Sequence, residues 1–340
     1  MKRTLTYTIE NEITVLDFLK RHGYSHSVIT HLKRTPYSIL GNGKWLYVND
    51  RLMPGDTLTI HLIEEESSAK ILPVPMDLDI VYEDEDILVL NKPADMPIHP
   101  SLNNYENTLA NGVADYYQQK GEAYVFRCMN RLDRDTTGLT ILAKHMLSAA
   151  ILSQDVANRA VHRTYLAIVE GTLTGSGTID APIGRESDSL ITRCIDYEHG
   201  ECAVTHYRSL ACHNDLTLVS LRLETGRTHQ IRVHMKHLGY PLIGDYLYHP
   251  DMTKIDRQAL HSSLLEFTHP ITKKAMKLSA PLPTDMRKLF QDFLEFISIQ
   301  IRMSKNGFMF LIGNLHKAES ILFRCTKIRK SSLPESDLMK

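Results

Sequence analysis

A short charged segment in the middle of the chain carries side chains that could do chemistry. It spans residues 130–139 and alternates two acids with two arginines, without an apolar face. A positive charge a few ångströms away lowers the pKa of a carboxyl group, so an aspartate flanked by Arg131 and Arg134 stays ionised at neutral pH. Such a carboxylate could act as a nucleophile or as a general base. On its own, the segment fits a solvated loop of salt bridges equally well.

The residues that follow the charges predict how the segment is presented. Thr136, Thr137 and Gly138 are typical of a tight turn rather than of a helix. We therefore expect a loop that displays Asp133 and Asp135.

A second candidate segment lies about a hundred residues downstream and is rich in cations and histidines. It predicts a turn at Gly226 and a helix that ends at Gly239. On that helix Arg232 and Lys236 share a face, because they are four residues apart, and we expect this face to point toward an anion. Metal binding is an alternative, although the histidine spacings do not give the pair of a helical zinc motif. Its residues would be His229, His234, His237 and Asp245.

A strand-like alternation covers residues 161–171. It places Tyr165 on one face together with Ala167 and Val169. A tyrosine in that position usually belongs to the core. Its ring could instead stack on an unpaired base, as aromatic side chains do in proteins that bind single-stranded nucleic acid.

Near the N terminus, apolar residues at helical spacing predict two short helices separated by a break at residues 23–25. A strand over residues 45–51, a turn over 53–56 and a strand over 57–62 follow. This succession resembles the small RNA-binding domain named after ribosomal protein S-four, with an insertion at residues 40–44 relative to its commonest form. A plain α+β cap is the alternative. The basic residues at the helix ends, which we predict to contact RNA, are Lys20, Arg21, Lys33 and Arg34.

Composition limits the remaining possibilities. The 340 residues have a formal net charge of -1, so a site for a polyanion must be a local basic patch. No stretch approaches about 18 consecutive apolar residues, and the first ten residues lack the apolar core of a signal peptide. We therefore predict a cytoplasmic protein. Five cysteines without a C-x-x-C pair argue against a disulfide framework.

These patterns predict an α+β protein with two domains. Residues 1–66 would form the small RNA-binding domain, and the polar and proline-containing residues 67–76 a linker. Residues 77–295 would form the catalytic domain around a mixed or antiparallel sheet. Residues 296–340 are a C-terminal extension to which we assign no role.

Four motifs, in this order, resemble the RluA-type family of RNA pseudouridine synthases. The resemblance covers about residues 72–293. Two residues depart from the usual pattern: Asn130 replaces a histidine, and Asp95 replaces a glycine. The motifs are Asn91-Lys92-Pro93 through His99-Pro100, Arg131-Leu132-Asp133 through Gly138, Arg163-Thr164-Tyr165-Leu166-Ala167, and Gly226-Arg227-Thr228-His229-Gln230-Ile231-Arg232.

The resemblance implies a role for individual residues. Asp133 would be the essential aspartate that cleaves the glycosidic bond of uridine, and Arg232 would hold its carboxylate in place and ionised. Tyr165 would stack on the target uracil, and Arg131 would help to open the RNA and stabilise the flipped nucleotide. Further RNA contacts would come from Arg134, Arg163, Arg227 and His229.

The function implied is the isomerisation of specific uridines to pseudouridine, with no cofactor and no metal. The expected partner is RNA, with large-subunit ribosomal RNA ahead of transfer RNA, and neither DNA nor a membrane; we expect a monomer. One alternative is a non-catalytic RNA-binding or ribosome-assembly factor on the same fold. Another is a metal-dependent nuclease or hydrolase that uses Asp133, Asp135 and Asp245.

Overall fold

The computed structural model describes residues 1–102 and 104–290, so the predicted C-terminal extension lies outside the described residues. The chain divides into two compact units. The first unit comprises Met1–Arg163 and Leu264–Leu278, and the second comprises Thr164–Ser263 and the described residues from Ser279 onward.

The N-terminal part of the first unit contains the two predicted helices and a small antiparallel sheet. Strands β1 and β6 pair along their whole length, and β3 and β4 continue that sheet beyond β6. The elements are β1 (Lys2–Thr8), β2 (Ile13–Thr14), α1 (Val15–Arg21), α2 (His26–Arg34), β3 (Ile39–Gly41), β4 (Lys44–Trp45), β5 (Arg51–Leu52) and β6 (Thr57–Ile63).

Both helices begin at side-chain caps. The Thr14 hydroxyl accepts a hydrogen bond from the Asp17 backbone N–H, and the Ser25 hydroxyl accepts one from Val28. Between the helices Gly23 adopts a φ of 82°, which turns the chain where the sequence predicts a break. The buried faces of the helices pack on β1 and β6 and also on Leu147 and Ile151, which belong to a later helix of the same unit.

The predicted strand over residues 45–51 is wrong for most of its length. Only Trp45 and Arg51 belong to strands, because the backbone N–H of Tyr47 donates to the Asp50 carboxylate at 2.7 Å and closes a turn between them. The insertion at residues 40–44 is a tight hairpin whose central Asn42 and Gly43 both have positive φ.

The rest of the first unit is built on an antiparallel β7-β8-β9 sheet covered by helices. Strand β8 is almost fully buried, which agrees with its apolar sequence. Its elements are β7 (Ile80–Glu83), β8 (Ile87–Lys92), α3 (Leu109–Gln119), β9 (Thr137–Ala143) and α4 (Met146–Ala157).

The segment predicted as a linker has no regular secondary structure, but it is hydrogen-bonded within the first unit. The Ser68 hydroxyl accepts from the Phe126 backbone N–H at 2.9 Å, and the Asn111 side chain donates to the Leu72 carbonyl at 2.7 Å. The domain boundaries and the S-four resemblance stay predictions.

Three strands have residues in both units: β10 (His162–Glu170), β16 (Leu260–Thr268) and β17 (Ala275–Ser279). Within the second unit, β11, β14, β15 and β10 form antiparallel pairs in that order. The remaining elements are β11 (Ser176–Asp180), β12 (Ile183–Arg185), β13 (Arg193–Ile195), β14 (Val204–His213), β15 (Leu216–Leu223), α5 (Gln230–His237) and α6 (Thr284–Lys288).

The alternation over residues 161–171 is confirmed as strand β10, and the cation-rich segment is confirmed as helix α5. Gly239 follows the C-cap Leu238 with a φ of 87°, as expected for a glycine that ends a helix. Strands and helices that alternate irregularly, with antiparallel pairing, confirm the predicted α+β class.

Candidate active site

The aspartate loop, residues 130–136, leads into strand β9 in the first unit. Its turn lies earlier than the sequence predicts: the Thr136 backbone N–H donates to the Asp133 carbonyl at 3.2 Å, so Arg134 and Asp135 occupy the turn. Thr137 and Gly138 are already strand, because Gly138 pairs with Lys92 of β8. The turn predicted over Thr136, Thr137 and Gly138 is therefore wrong, because the turn lies over Arg134 and Asp135 instead. The predicted loop that presents Asp133 is found.

Lys92 holds the aspartate loop through the backbone. Its side chain is only 1% exposed, and its ammonium donates to the carbonyls of Pro93, Met96 and Arg134 at 2.7, 2.9 and 2.7 Å. The Arg134 carbonyl also accepts from the Met96 backbone N–H at 3.2 Å. Because Arg134 directly follows Asp133, this one buried cation joins the first motif to the turn that carries the aspartate.

Asn130 fixes the other end of the loop. The side chain is buried; its amide N–H donates to the Leu139 carbonyl at 3.0 Å and its amide oxygen accepts from the Ile141 backbone N–H at 2.7 Å. The Thr140 hydroxyl donates to the Asn130 carbonyl at 2.9 Å. The residue that departs from the family pattern thus binds strand β9 with both ends of its amide.

The second departure, Asp95, is explained by the backbone. Its φ of 53° lies in the left-handed region, where glycine is favoured and where aspartate is among the better tolerated alternatives. Its carboxylate lies 3.7 Å from the Arg134 guanidinium. A glycine at this position would satisfy the conformation without strain, which accounts for the usual residue of the family.

The charged side chains of the loop differ in their environment. Asp133 is half-buried and Arg131 is exposed. Asp135 is buried and accepts from the Arg134 guanidinium at 3.3 Å. Of the two acids, Asp133 is therefore the one with access to a substrate.

In the second unit, Arg232 is the centre of a buried ion pair. It is 2% exposed, and its Nε and one terminal nitrogen donate to the two oxygens of Asp245, each at 2.7 Å. The rings of Tyr246 and Tyr248 lie 5.8 and 5.1 Å from the guanidinium carbon. We call Arg232, Asp245, Tyr246 and Tyr248 the arginine site.

The predicted cationic face of the helix is only partly correct. Lys236 is exposed, but Arg232 is buried against Asp245, so the two residues do not share a solvent-facing surface. Asp245, which the sequence suggests only as a possible metal ligand or nuclease acid, is the partner of Arg232.

The turn that precedes α5 is held by Gln230, whose side-chain oxygen accepts from the Thr225 hydroxyl at 2.8 Å and from the Arg227 backbone N–H at 3.0 Å. His229 has a φ of 58° and its ring is hydrogen-bonded to the Tyr248 hydroxyl at 2.8 Å. The Arg227 guanidinium pairs with Glu201. The fourth motif is thus a strained turn that places the first residues of α5.

The other predicted site residues occupy strand β10 and the N-terminal helices. Tyr165 is 4% exposed and pairs with Leu221 of β15, so its ring lies within the fold. Arg163 is half-buried, and its Nε makes no hydrogen bond to any of the described residues. The basic residues of the helix ends are all exposed: Lys20, Arg21, Lys33 and Arg34.

Two of the three histidines weighed as metal ligands, His229 and His234, have other partners. His234 is buried and hydrogen-bonded to the Thr205 hydroxyl at 2.8 Å and to the Ala181 carbonyl at 2.9 Å. Within the described residues, two other groups could hold a cation by their geometry: Asp84 with Asp86 and His269, and Glu170 with His249 and Asp251. Asp86 already binds Arg3 and His145, and none of these residues was predicted as a ligand.

The roles of Lys92 in the first unit and of Asp245 in the second are not predicted by the sequence. In the sequence Lys92 is recognised only as part of the first motif, because lysine is almost never fully buried and its residue type gives no signal of burial. An acid thirteen residues after Arg232 gives no local signal either, because the two are joined only by folding.

Three comparisons place the chain among known proteins. A family model described as RNA pseudouridylate synthase matches residues 86–237. An uncharacterized RNA pseudouridine synthase of Bacillus subtilis, YjbO, is 43% identical over 82% of this chain and 99% of its own length. The ribosomal large subunit pseudouridine synthase D of Escherichia coli O157:H7 is 38% identical over 74% of this chain and 82% of its own.

A solved structure agrees. Human RNA pseudouridylate synthase domain containing 1 is 28% identical, with a TM-score of 0.51 over 64% of this chain and 86% of that one. Among the described residues, no helix is long and apolar enough to cross a membrane. With a relative 43% identical over most of both lengths and the motifs in their expected order, the chain belongs to the RNA pseudouridine synthase family and is an isomerase that acts on RNA.

Proposed function

We propose that this enzyme isomerises specific uridines of large-subunit ribosomal RNA, with Asp133 as the catalytic carboxylate. The target is supported by the similarity to a protein named ribosomal large subunit pseudouridine synthase D. The observation that carries the assignment of the aspartate is the geometry of its loop. Asp133 is half-buried on a turn whose backbone is fixed by buried Lys92, while neighbouring Asp135 is buried against Arg134.

The reaction needs a positioned carboxylate that acts as a nucleophile or as a base. The bond between uracil N1 and the ribose breaks, the uracil rotates within the pocket, and ring carbon five joins the same ribose carbon. The proton that carbon five loses is balanced by the proton that N1 gains, so the product is an isomer and there is no net redox change. The Asp133 carboxylate would start this sequence either by direct attack or by removing a proton from the ribose. A turn fixed through its carbonyls keeps that carboxylate at one place.

The supporting roles are proposed from the motifs. Arg232, whose own orientation is fixed by Asp245, would hold the catalytic carboxylate in place, and Tyr165 would stack on the target uracil. Exposed Arg131 would stabilise the flipped nucleotide, since extruding a base from a duplex costs a few kcal/mol. Phosphate contacts would come from Arg134, Arg163, Arg227 and His229, and from Lys20, Arg21, Lys33 and Arg34 of the N-terminal helices.

Action on ribosomal RNA would place the enzyme in the cytoplasm, and we propose that it acts there as a monomer. Mapping pseudouridine in ribosomal and transfer RNA from cells with and without this protein tests the target. We expect one or more large-subunit positions to lose pseudouridine. A loss confined to transfer RNA would refute the ribosomal assignment and name the substrate instead.

The role of the aspartate is tested in vitro with purified Asp133→Asn and its neighbour Asp135→Asn. We expect the first variant to lose more than about a thousandfold in kcat while it still binds RNA. Asp135→Asn should lose stability and keep the larger part of its activity per folded molecule. Full activity in Asp133→Asn would overturn the assignment.

A further inference from the structure

Three aromatic side chains form an exposed cluster on the N-terminal part of the first unit. The residues are Tyr37, Trp45 and Tyr47, and they are 65%, 42% and 66% exposed. The ring centroids of Tyr37 and Trp45 lie 5.1 Å apart and those of Trp45 and Tyr47 lie 5.5 Å apart, the second pair stacked. Single exposed apolar residues are ordinary, but three adjoining rings left in water form a surface that indicates a ligand.

The backbone holds each ring of this aromatic cluster in place. Trp45 is on the β3–β4 hairpin, paired with Leu40. Tyr47 is fixed by the bond from its N–H to the Asp50 carboxylate. Tyr37 has a φ of 58°, which costs free energy for a residue with a bulky side chain. The strain orients a ring that contributes little to the core, so stability does not explain it.

A groove with a volume of about 600 Å³ adjoins the cluster. Trp45 and Tyr47 line it together with residues of α1 and α2, among them Lys20 and Lys33. Both lysines are exposed. The volume is within the range of about 300–1,000 Å³ that is typical of sites for small organic ligands, and a nucleotide is of that size.

We propose that the aromatic cluster and this groove bind an unpaired stretch of RNA. Bases stack on the rings of Tyr37 and Tyr47, and phosphates contact Lys20 and Lys33. Stacking rings beside a cationic groove are the combination by which proteins hold single strands with little regard to sequence. A protein partner would not require the lysines, and a duplex has no free base faces to offer. The inference rests on the proposed function only in taking RNA as the substrate.

The site would give the enzyme a second hold on its substrate, apart from the target uridine. An unpaired segment near the modified position would be bound by the N-terminal part of the chain. This second contact would slow the dissociation of the RNA without changing the rate of the chemical step. This predicts an effect of the aromatic cluster on KM and not on kcat.

Trp45 is the only tryptophan of the chain, so its fluorescence reports on the cluster directly. The experiment titrates the full-length protein with a single-stranded oligoadenylate of about ten nucleotides, the length of one site of this kind. This RNA contains no uridine, so catalysis does not enter. We expect saturable quenching of Trp45 as bases stack, and no comparable quenching with an RNA duplex of equal length and charge.

Variants separate stacking from charge. Tyr47→Leu and Tyr37→Leu should each weaken binding about tenfold, and Tyr47→Phe, which keeps the ring, should bind like the wild type. Tyr197→Leu is the matched control, because Tyr197 is 71% exposed but lies in the second unit. Lys20→Gln should make binding less dependent on salt.

Other results would overturn the proposal. Binding of the oligoadenylate without a change in Trp45 fluorescence would place the RNA elsewhere, and equal quenching by duplex would refute the preference for unpaired bases. A fluorescence change that depends on protein concentration alone would identify a second copy of the chain as the occupant. These measurements do not depend on pseudouridine formation. The binding proposal can therefore be refuted while the proposed function holds, and the proposed function can be refuted while the binding proposal holds.

Discussion

The aspartate loop and the arginine site hold their central charges in opposite ways. In the loop, Lys92 binds the Arg134 carbonyl next to Asp133, Asn130 binds backbone groups of strand β9, and the Asp133 side chain is half-buried. In the arginine site, Asp245 binds the Arg232 side chain itself with two parallel hydrogen bonds, and both groups are buried.

The difference follows from what each group has to do. The carboxylate that reacts has to meet the substrate in one position, and Lys92 and Asn130 contribute to this by fixing the backbone of the segment that carries it. A guanidinium that supports the reaction can be held by its own nitrogens, because it has five N–H donors and needs only two of them to bind Asp245. The comparison predicts that damage to the arginine site affects stability first, and damage to the loop affects turnover first.

The largest effect on stability should come from Asp245→Asn. It leaves the Arg232 charge buried without its carboxylate, and we expect the free energy of unfolding to fall by about 3–5 kcal/mol. Thermal or denaturant unfolding measures the change. Asp251→Asn, an exposed acid of the same unit, is the control and should change it by less than about 0.5 kcal/mol. Similar values for the two variants would show that the buried pair contributes nothing special.

Lys92→Met should have the next largest effect on stability. It tests most directly whether damage to the aspartate loop lowers turnover. Three carbonyls each lose one hydrogen bond, so we expect about 2–3 kcal/mol of destabilisation and a fall of about tenfold to a hundredfold in kcat, because the turn that carries Asp133 is less firmly fixed. Steady-state kinetics on RNA at a temperature where the variant is folded give the second number. The exposed Lys277→Met of the same unit should match the wild type. A loss of stability with unchanged kcat would mean that Lys92 supports the fold alone.

Asn130→Leu tests whether the unusual residue of the motif positions the loop or contacts RNA. We expect about 1–3 kcal/mol of destabilisation and a lower kcat with little change in KM, because both amide bonds are made to strand β9. Asn158→Leu, at an exposed helix end of the same unit, serves as the control. A raised KM with kcat preserved would instead assign Asn130 to the RNA surface.

The smallest effect is predicted for Asp95. Asp95→Gly should raise the free energy of unfolding by about 0.5 kcal/mol, because glycine adopts the positive φ without strain, and Asp95→Val should lower it by about 1–2 kcal/mol. Denaturant unfolding of the three proteins gives the order. If valine proved as stable as aspartate, the backbone explanation of the family glycine would be wrong.

Local patterns were sufficient for much of the fold. The caps and apolar spacing of α1 and α2, the alternation of β10 and the glycine after α5 each depend on neighbours a few residues away. The predicted strand over residues 45–51 failed for a related reason. Its composition favours a strand, but the Asp50 carboxylate captures the Tyr47 N–H, and composition does not show such a bond.

The position of the turn in the aspartate loop failed because of partners far along the chain. Thr137 and Gly138 are turn-forming residue types, yet both belong to strand β9, and Gly138 pairs with Lys92 of β8. This pairing moves the turn back to Arg134 and Asp135. Long-range pairing overrode a weak local preference.

The amino-acid sequence by itself determined the α+β class, the order of the motifs and hence the chemistry, because each is written in short runs of residue types. Only the tertiary structure decided which residues fix the functional groups. Lys92 donates to the Arg134 carbonyl, forty-two residues away, and Asp245 accepts from Arg232. It also decided that Tyr37, Trp45 and Tyr47 meet in one exposed cluster. Such contacts join residues that packing alone brings together, and for that reason no local pattern predicts them.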